Sequence, residues 1–273
     1  MRPDRPSQAS STKLETAHGD PPAFTYARAV QISLDGQWAI GGKAHGGYLL
    51  REAVAAALED RDPLTVSALF LHSPDPGTAT VEVETLREGR RVSHHRVRLV
   101  QADTLCLEAL VTSGTLSDDA EAYWSDAPSP AMTPVDDCLR ATSEPLPGVR
   151  VGHLDFVDVR VSTLDRRPGR VTAWLRMADA PTTVLDLLAL ADALVPVPLD
   201  MGVPGWFPTL ELTVHLRSRP ADGWLVAEQT SQLMQDGWFD EDCHIWDPRG
   251  RLVCQSKQLA CYRDPAGRPP ART

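Results

Sequence analysis

One aspartate in the second half of the chain stands in an otherwise apolar stretch. Asp192 lies within the run 188–195, which reads LALADALV. A carboxyl group buried in such surroundings has a raised pKa, because burial penalises its charged form, and it becomes a better general base toward water. The alternative is that Asp192 caps a turn ahead of Pro196.

Two adjacent glycines precede the stretch of the first half that most favours a helix. Gly46 and Gly47 lead into residues 49–58, which are rich in alanine and leucine. The first N–H groups of a helix are unpaired and carry partial positive charge, so one of these amides can bind an oxygen that gains negative charge. A tight turn between helix and sheet would explain the glycines equally well. The neighbouring His45 can contact a substrate or pack on the helix end.

Further polar candidates lie on two predicted strands. Thr209, Glu211, Thr213 and His215 alternate with apolar residues and therefore share one face. The hydroxyl of Thr209 and the amide of Gln258 are groups that can orient a water molecule. Both strands can also simply expose these residues to solvent, and Glu211 or Thr213 can take the place of Thr209.

The sequence offers little for other kinds of chemistry. It contains no GxSxG motif, and the pair His94–His95 lacks further ligands at metal-binding spacing. The five cysteines are odd in number and include no CxxC pair, which argues against a disulfide framework and a zinc site. We therefore expect no metal, no cofactor and a reducing, cytoplasmic location.

Charge and hydropathy exclude two classes of partner. The chain has 273 residues and a net charge of −10, and it has no long Lys/Arg cluster, so we expect no nucleic-acid partner. Arg87, Arg90 and Arg91 are expected to be solvated, with a nucleotide-phosphate contact as the alternative. No apolar run approaches the roughly 18 residues that a membrane helix needs.

The chain reads as two copies of one module. Residues 66–70 align with 212–216, and the same offset matches Pro74 with Pro220 and Gly77 with Gly223. We predict an N-terminal module at 24–115, a proline-rich linker at 116–150 and a C-terminal module at 151–263. Residues 1–23 and 264–273 are expected to be a disordered lead and tail.

Each module is expected to contain a helix and an antiparallel meander of strands. Besides the helix at 49–58, we predict a second helix over 182–195. The predicted strands are 24–33, 64–71, 78–87, 92–101 and 104–112, then 156–162, 170–177, 210–216, 224–233, 237–246 and 251–262.

Several motifs together resemble the acyl-CoA thioesterases of the thioesterase II (TesB-like) type, which have a double hot-dog fold. In chain order they are Trp38 with segment 41–48 (GGKAHGGY), the pair Ala191–Asp192, segment 209–212 (TLEL) and segment 247–253 (DPRGRLV) leading to Gln258. The resemblance covers about residues 24–263. It implies an α+β fold in which each module wraps a sheet around a long helix.

The resemblance also implies a function and a site. Family members hydrolyse acyl thioesters with an Asp, a Thr and a Gln that hold a water; the matching residues here are Asp192, Thr209 and Gln258. His45, Gly46, Gly47 and Tyr48 would then bind the substrate and its oxyanion. His45 replaces an aromatic residue of the family, and the loop after Asp192 is short and proline-rich.

The expected partner is an acyl-CoA or an acyl-carrier protein, and exposed sheet surfaces favour a homo-oligomer. Met201, Trp206 and Phe207 can line an acyl tunnel or serve as packing. Two alternatives stay open: a hot-dog hydratase or dehydratase, and an acyl-binding accessory protein without catalysis. Under the repeat offset Asp192 matches Gly46, so only the second half offers the carboxylate, and we expect one site per chain.

Overall fold

The computed structural model describes residues 28–119, 121–145 and 149–262. The predicted lead (1–23) and tail (264–273) lie outside these residues. The described helices are α1 (Gly46–Ala57), α2 (Asp186–Leu190) and α3 (Val197–Asp200). The strands are β1 (Arg28–Leu34), β2 (Ala39–Ile40), β3 (Lys43–Ala44), β4 (Asp62–Phe70), β5 (Gly77–Arg87), β6 (Ser93–Gln101), β7 (Thr104–Gly114), β8 (Leu139–Arg140), β9 (Val157–Val161), β10 (Arg170–Met177), β11 (Thr209–Leu216), β12 (Leu225–Thr230), β13 (Met234–Gln235), β14 (Trp238–Trp246) and β15 (Leu252–Cys261).

One large antiparallel sheet contains nearly all of these strands. Its order is β1-β5-β6-β7-β4-β11-β15-β14-β12-β10-β9-β8, with β13 paired to β14, while β2 and β3 form a separate hairpin. The strands of the first half occupy one side, and those of the second half the other. The two halves meet where β4 pairs with β11, so neither of these strands presents an open edge.

The pairing of β4 with β11 confirms the internal repeat. Ser67 lies directly opposite Thr213, and their hydroxyl oxygens are 2.9 Å apart across an interval of 146 residues, the offset found in the sequence. Equivalent residues can face each other only where a local twofold axis passes between them. Gly77 and Gly223 support the match, since their φ angles of 125° and 126° are almost identical and favour glycine.

The predicted strands are confirmed, with ends displaced by a few residues. The part of the first strand before residue 28 lies outside the described chain. The second half does not repeat the first in full, because the second half has two strands, β9 and β10, before its helix. In the sheet, β10 and β9 both follow β12, whereas in the first half β1 alone follows β5 and forms the edge.

Helix α1 packs on the inner face of the sheet through one apolar side. Leu49, Leu50, Ala53, Val54 and Ala57 are all buried. Their spacing of three and four residues is that of one helix face. A fully buried leucine contributes about 1.5–3 kcal/mol, so this face holds the helix in place. The helix begins after His45, whose side chain accepts a hydrogen bond from the Tyr48 amide.

The prediction of one long helix over 182–195 is wrong. Only residues 186–190 are α-helical, followed by a tight turn and by α3. Beyond the helix, the carbonyl groups of the turn bind side chains from elsewhere in the chain. His45 contacts the carbonyl of Asp192, His153 that of Ala193, and Gln229 donates to that of Val195. Pro196 then disfavours helical continuation.

The described part of the linker is bound to the second half. The indole N–H of Trp246 donates to the carbonyl of Ala127 at 2.8 Å, and that of Trp174 to the carbonyl of Thr133 at 2.9 Å. The linker also contributes β8, which pairs with β9. In the described residues, no helix is long and apolar enough to cross a membrane.

Candidate functional site

Asp192 lies in the turn after α2, where the two halves meet. Its side chain is only 14% exposed. Its Oδ2 accepts a hydrogen bond of 2.8 Å from the Gly47 amide at the start of α1. Burial raises the pKa of Asp192, although His45 and the Gly47 hydrogen bond partly oppose the effect. The other oxygen, Oδ1, has no hydrogen-bond partner among the described residues, so it can accept one from a water molecule.

The two glycines let α1 approach this turn closely. A Cβ at Gly47 would lie 2.8 Å from the carbonyl oxygen of Ala189 and 2.9 Å from the Cβ of Asp192. A Cβ at Gly46 would lie 2.9 Å from Asp192 Oδ2. All three distances are too short for a real contact, so a side chain at either position would displace the carboxyl group or its backbone.

The two predicted glycine amides differ in their hydrogen bonding. The Gly47 N–H is already bound to Asp192, and the Tyr48 N–H to His45, so neither is free for an oxyanion. The Gly46 N–H is left without a partner among the described residues. The Tyr48 hydroxyl is also occupied, since it accepts a hydrogen bond from the Asp35 amide at 2.9 Å.

His45 is buried and anchored at both ring nitrogens. Its Nδ1 accepts from the Tyr48 amide at 3.1 Å, so that nitrogen carries no proton. When the ring is neutral, its proton therefore lies on Nε2, which donates to the backbone carbonyl of Asp192 at 2.8 Å. Nε2 is also 3.6 Å from Asp192 Oδ2. His45 thus holds the turn that carries Asp192.

A second histidine, which the sequence analysis missed, supports the same turn. His153 is buried in a 3₁₀ turn over Gly152–Asp155, and its Nε2 lies 3.1 Å from the carbonyl oxygen of Ala193. Its ring packs on that of His45, with centroids 4.3 Å apart. Burial and the neighbouring His45 hold the pKa of His153 well below its usual range. The two histidine rings therefore bind consecutive carbonyls.

Thr209 and Gln258, the two residues predicted to orient a water, are in direct contact. Thr209 opens β11 and Gln258 is on the neighbouring β15; the Thr209 hydroxyl donates to Gln258 Oε1 at 3.1 Å. Gln258 is buried rather than exposed. A bulge in β11 between Thr209 and Glu211 breaks the regular alternation there. Thr213 and Glu211 instead hydrogen-bond to each other at 2.7 Å.

Glu241 on β14 is a further buried acid, and the sequence analysis did not select it. Its carboxylate accepts hydrogen bonds from the side-chain amide of Gln258 and, at 2.6 Å, from the Val197 amide. Burial raises its pKa to about 7, and the negative charge of Asp192 contributes to the increase. Gln229, whose side chain donates to the Val195 carbonyl, lies near it and acts to lower this pKa. We call these four side chains, Thr209, Gln229, Glu241 and Gln258, the sheet-side polar cluster.

The structure thus forms two adjoining groups. Asp192 belongs with the start of α1, whereas Thr209 and Gln258 belong to the sheet-side polar cluster. Among the described residues no direct hydrogen bond joins Asp192 to Thr209 or Gln258. The charge of Asp192 nevertheless reaches Glu241, so the two groups are close.

The loop after α3 supplies aromatic residues, but they differ in exposure. Phe207 packs against Phe239 and Tyr262, with ring centroids 5.7 and 5.5 Å away. Trp206 and Met201 are 42% and 44% exposed. Phe207 is therefore packing, and only Trp206 and Met201 remain available to a ligand.

Comparison with known proteins identifies the family of both halves of the chain. A family model for the acyl-CoA thioesterase N-terminal domain matches residues 34–114, and one for the C-terminal domain matches residues 129–262. An uncharacterized protein of Mycobacterium tuberculosis is 35% identical, with 85% of this chain and 90% of that protein covered.

Solved structures show the same fold. A Thermobifida fusca protein assigned as a thioesterase II has a TM-score of 0.78 and 31% identity, covering 86% of this chain and 92% of that one. A hot-dog protein of unknown function from Alicyclobacillus acidocaldarius has a TM-score of 0.76 and 19% identity, covering 88% and 94%. The latter shows the fold alone.

These matches and the fold define the class as thioester hydrolases with a hot-dog fold. The chain belongs to the acyl-CoA thioesterase family, and its relatives of known structure include the thioesterase II type.

Proposed function

We propose that this chain hydrolyses an acyl-CoA thioester with one water-activating site, centred on Asp192. The observation that supports this most is the state of the Asp192 carboxyl group. It is buried, its pKa is raised, one oxygen is fixed by Gly47, and the other has no hydrogen-bond partner within the described parts of the chain. A general base needs this combination of basicity and fixed geometry.

The chemistry can be written with this chain's residues alone. Asp192 Oδ1 takes a proton from water while the water oxygen attacks the thioester carbonyl carbon. The Gly46 amide at the start of α1 stabilises the resulting oxyanion. The tetrahedral intermediate then collapses, the C–S bond breaks, and the thiolate receives the proton from Asp192. Thr209 and Gln258 orient the water.

The internal symmetry supports one site rather than two. Asp192 matches Gly46 under the 146-residue offset, so the carboxylate of one half occupies the space left by the glycine of the other. We propose on this basis a double hot-dog in which both modules build a single site. The module limits are those predicted from the sequence, 24–115 and 151–263. An acyl-carrier protein is the alternative carrier of the acyl group.

The geometry does not favour a hydratase or dehydratase. Such a reaction would need His45 to move a proton, but both of its ring nitrogens are bound to backbone groups. A non-catalytic acyl-binding protein would have no need of a buried carboxyl group with a raised pKa.

Thiol release from a panel of acyl-CoAs tests the proposal, with wild type and Asp192→Asn compared side by side. The substitution keeps the size of the side chain, but an amide cannot accept the proton, so we expect kcat to fall by about 10²–10⁴-fold. Asp165→Asn makes the same chemical change at an exposed position, so it is the matched control and should retain activity. Equal turnover by wild type and Asp192→Asn would contradict the proposal.

A further inference from the structure

Glu241 is a buried acid that the proposed hydrolysis does not use, yet it contacts a residue that the hydrolysis does use. It lies on β14 directly opposite Gln258 on β15, and only 3% of its surface is exposed. The register of two paired strands therefore sets the contact.

The side-chain amide of Gln258 has its oxygen and its NH₂ group bound to different partners. Its Oε1 accepts from the Thr209 hydroxyl, and its Nε2 donates to Glu241 Oε2. A side-chain amide has acceptors at one end and donors at the other. An ionised Glu241 is an acceptor only, so it favours the orientation in which the Gln258 NH₂ group faces it.

Protonation of Glu241 would reverse this orientation. The Val197 amide donates to Oε1, which must therefore remain an acceptor, and the proton of the neutral acid then lies on Oε2. Oε2 becomes a donor and requires an acceptor. Gln258 satisfies it by turning its amide half a turn, which brings Oε1 to Glu241 and the NH₂ group to Thr209.

We propose that Glu241 is a positioning residue that sets the orientation of the Gln258 amide and so decides which atoms of Gln258 face the hydrolytic water. This rests on the proposed function, in which Gln258 orients that water. The ionised form of Glu241 gives the active orientation, with the Gln258 oxygen beside Thr209 on the side of the water.

The surroundings of Glu241 tune this arrangement to neutral pH. The titratable groups that reach it are Asp192, from the turn after α2, and the Cys243 thiol on its own strand. Gln229, from β12, is a neutral neighbour that acts to lower the pKa of Glu241. Burial is the largest effect and raises the pKa of Glu241 to about 7, so the two orientations exchange in the neutral range.

The first test reads the orientation without turnover. The side-chain ¹H–¹⁵N signals of Gln258, assigned by their loss in Gln258→Ala, are followed by NMR from about pH 5 to 9. In the wild type we expect them to shift with a midpoint near pH 7. In Glu241→Gln they should be independent of pH, since the group that titrates is gone. Signals of Gln258 that do not move in the wild type would overturn the proposal.

The second test measures kinetics. In Glu241→Gln the new NH₂ group donates to Gln258 Oε1 and holds the amide in the reversed orientation. We expect kcat to fall on the order of 10- to 100-fold with KM little changed. The same substitution should have no further effect on kcat in a Gln258→Ala background. An equal loss in both backgrounds would show a merely structural role and contradict the proposal.

The experiments also distinguish a failure of this inference from a failure of the proposed function. Hydrolysis that survives Asp192→Asn would refute the proposed function, while the NMR titration of Gln258 would still decide the role of Glu241. Hydrolysis that is lost in Asp192→Asn but unchanged in Glu241→Gln would refute only the role of Glu241. Thermal melts of each variant confirm that it is folded.

Discussion

The Asp192 carboxylate and the Gly47 amide, 145 residues apart, are joined by a 2.8 Å hydrogen bond between the two halves of the chain. The bond places a carboxylate at the start of α1, where unpaired N–H groups and the helix dipole favour negative charge. It therefore opposes the effect of burial on the Asp192 pKa and fixes one oxygen of the side chain.

Gly47→Ala should damage both stability and activity. The new Cβ would meet the Ala189 carbonyl oxygen at 2.8 Å and the Asp192 Cβ at 2.9 Å, and neither can move without the backbone. Overpacking of this kind costs about 1–3 kcal/mol, which exceeds the gain of at most about 1 kcal/mol from the better helix propensity of alanine. Thermal unfolding and thiol release from acyl-CoA measure the two effects.

Gly46→Ala is the matched comparison and should affect activity more than stability. Here the new Cβ meets Asp192 Oδ2, at the end of a side chain that can rotate away, and the ring of Phe70. We expect a melting temperature close to that of the wild type but a loss of kcat, because the carboxylate leaves Gly47. Full activity in Gly46→Ala would show that the position of Oδ2 is unimportant.

Asp62→Ala should destabilise the junction of the halves without affecting the chemistry. The buried Asp62 carboxylate accepts from the Leu116 amide at 2.8 Å and binds Arg219 of the other half at 3.0 and 3.1 Å. Its removal leaves a buried N–H group without an acceptor. We expect a loss of about 2–3 kcal/mol, or about 5–10 °C in melting temperature.

Lys257→Ala provides the control for that measurement. Lys257 pairs with Asp240 and Asp242, but its side chain is 62% exposed. Exposed pairs contribute about 0–1 kcal/mol, so the melting temperature should change little. Equal losses in Asp62→Ala and Lys257→Ala would mean that burial does not strengthen the Asp62 pair.

Much of the sheet could be predicted from the sequence, because its signals are local or periodic. Alternating burial identifies the strands, and the offset between Ser67 and Thr213 gives the pairing of the halves. The helix over 182–195 could not be delimited this way. The turn that takes the place of its last residues is bound by His45 and His153, which lie far away in the chain.

The site was predicted in part for a related reason. Asp192, Thr209 and Gln258 occur in motifs, so a resemblance can identify them. Glu241 is one of three successive acids and belongs to no motif. A signal was nevertheless available, because Glu241 lies at every-second-residue spacing with Phe239, Cys243 and Ile245, which places it on the same, apolar face of β14. The hydrogen bond to Gln258 depends on strand register, which the sequence alone does not provide.

His153 and Glu241 should make opposite contributions to stability as pH changes. The pKa of His153 is lowered in the folded state. Below its ordinary value of 6.5, His153 therefore binds a proton in the unfolded chain but not in the folded one, and stability falls as pH falls. The pKa of Glu241 is raised from 4.5 to about 7, so stability falls as pH rises through that interval, by roughly 3 kcal/mol in total.

Single substitutions should reveal each contribution. His153→Gln removes the loss of stability at low pH, so the stability of this variant relative to the wild type should improve as pH falls from about 7 to 5. Glu241→Gln should improve relative to the wild type as pH rises over the same range. Urea unfolding at several pH values measures both. If the two differences from the wild type do not change with pH, neither residue titrates with the shifted pKa that its burial implies.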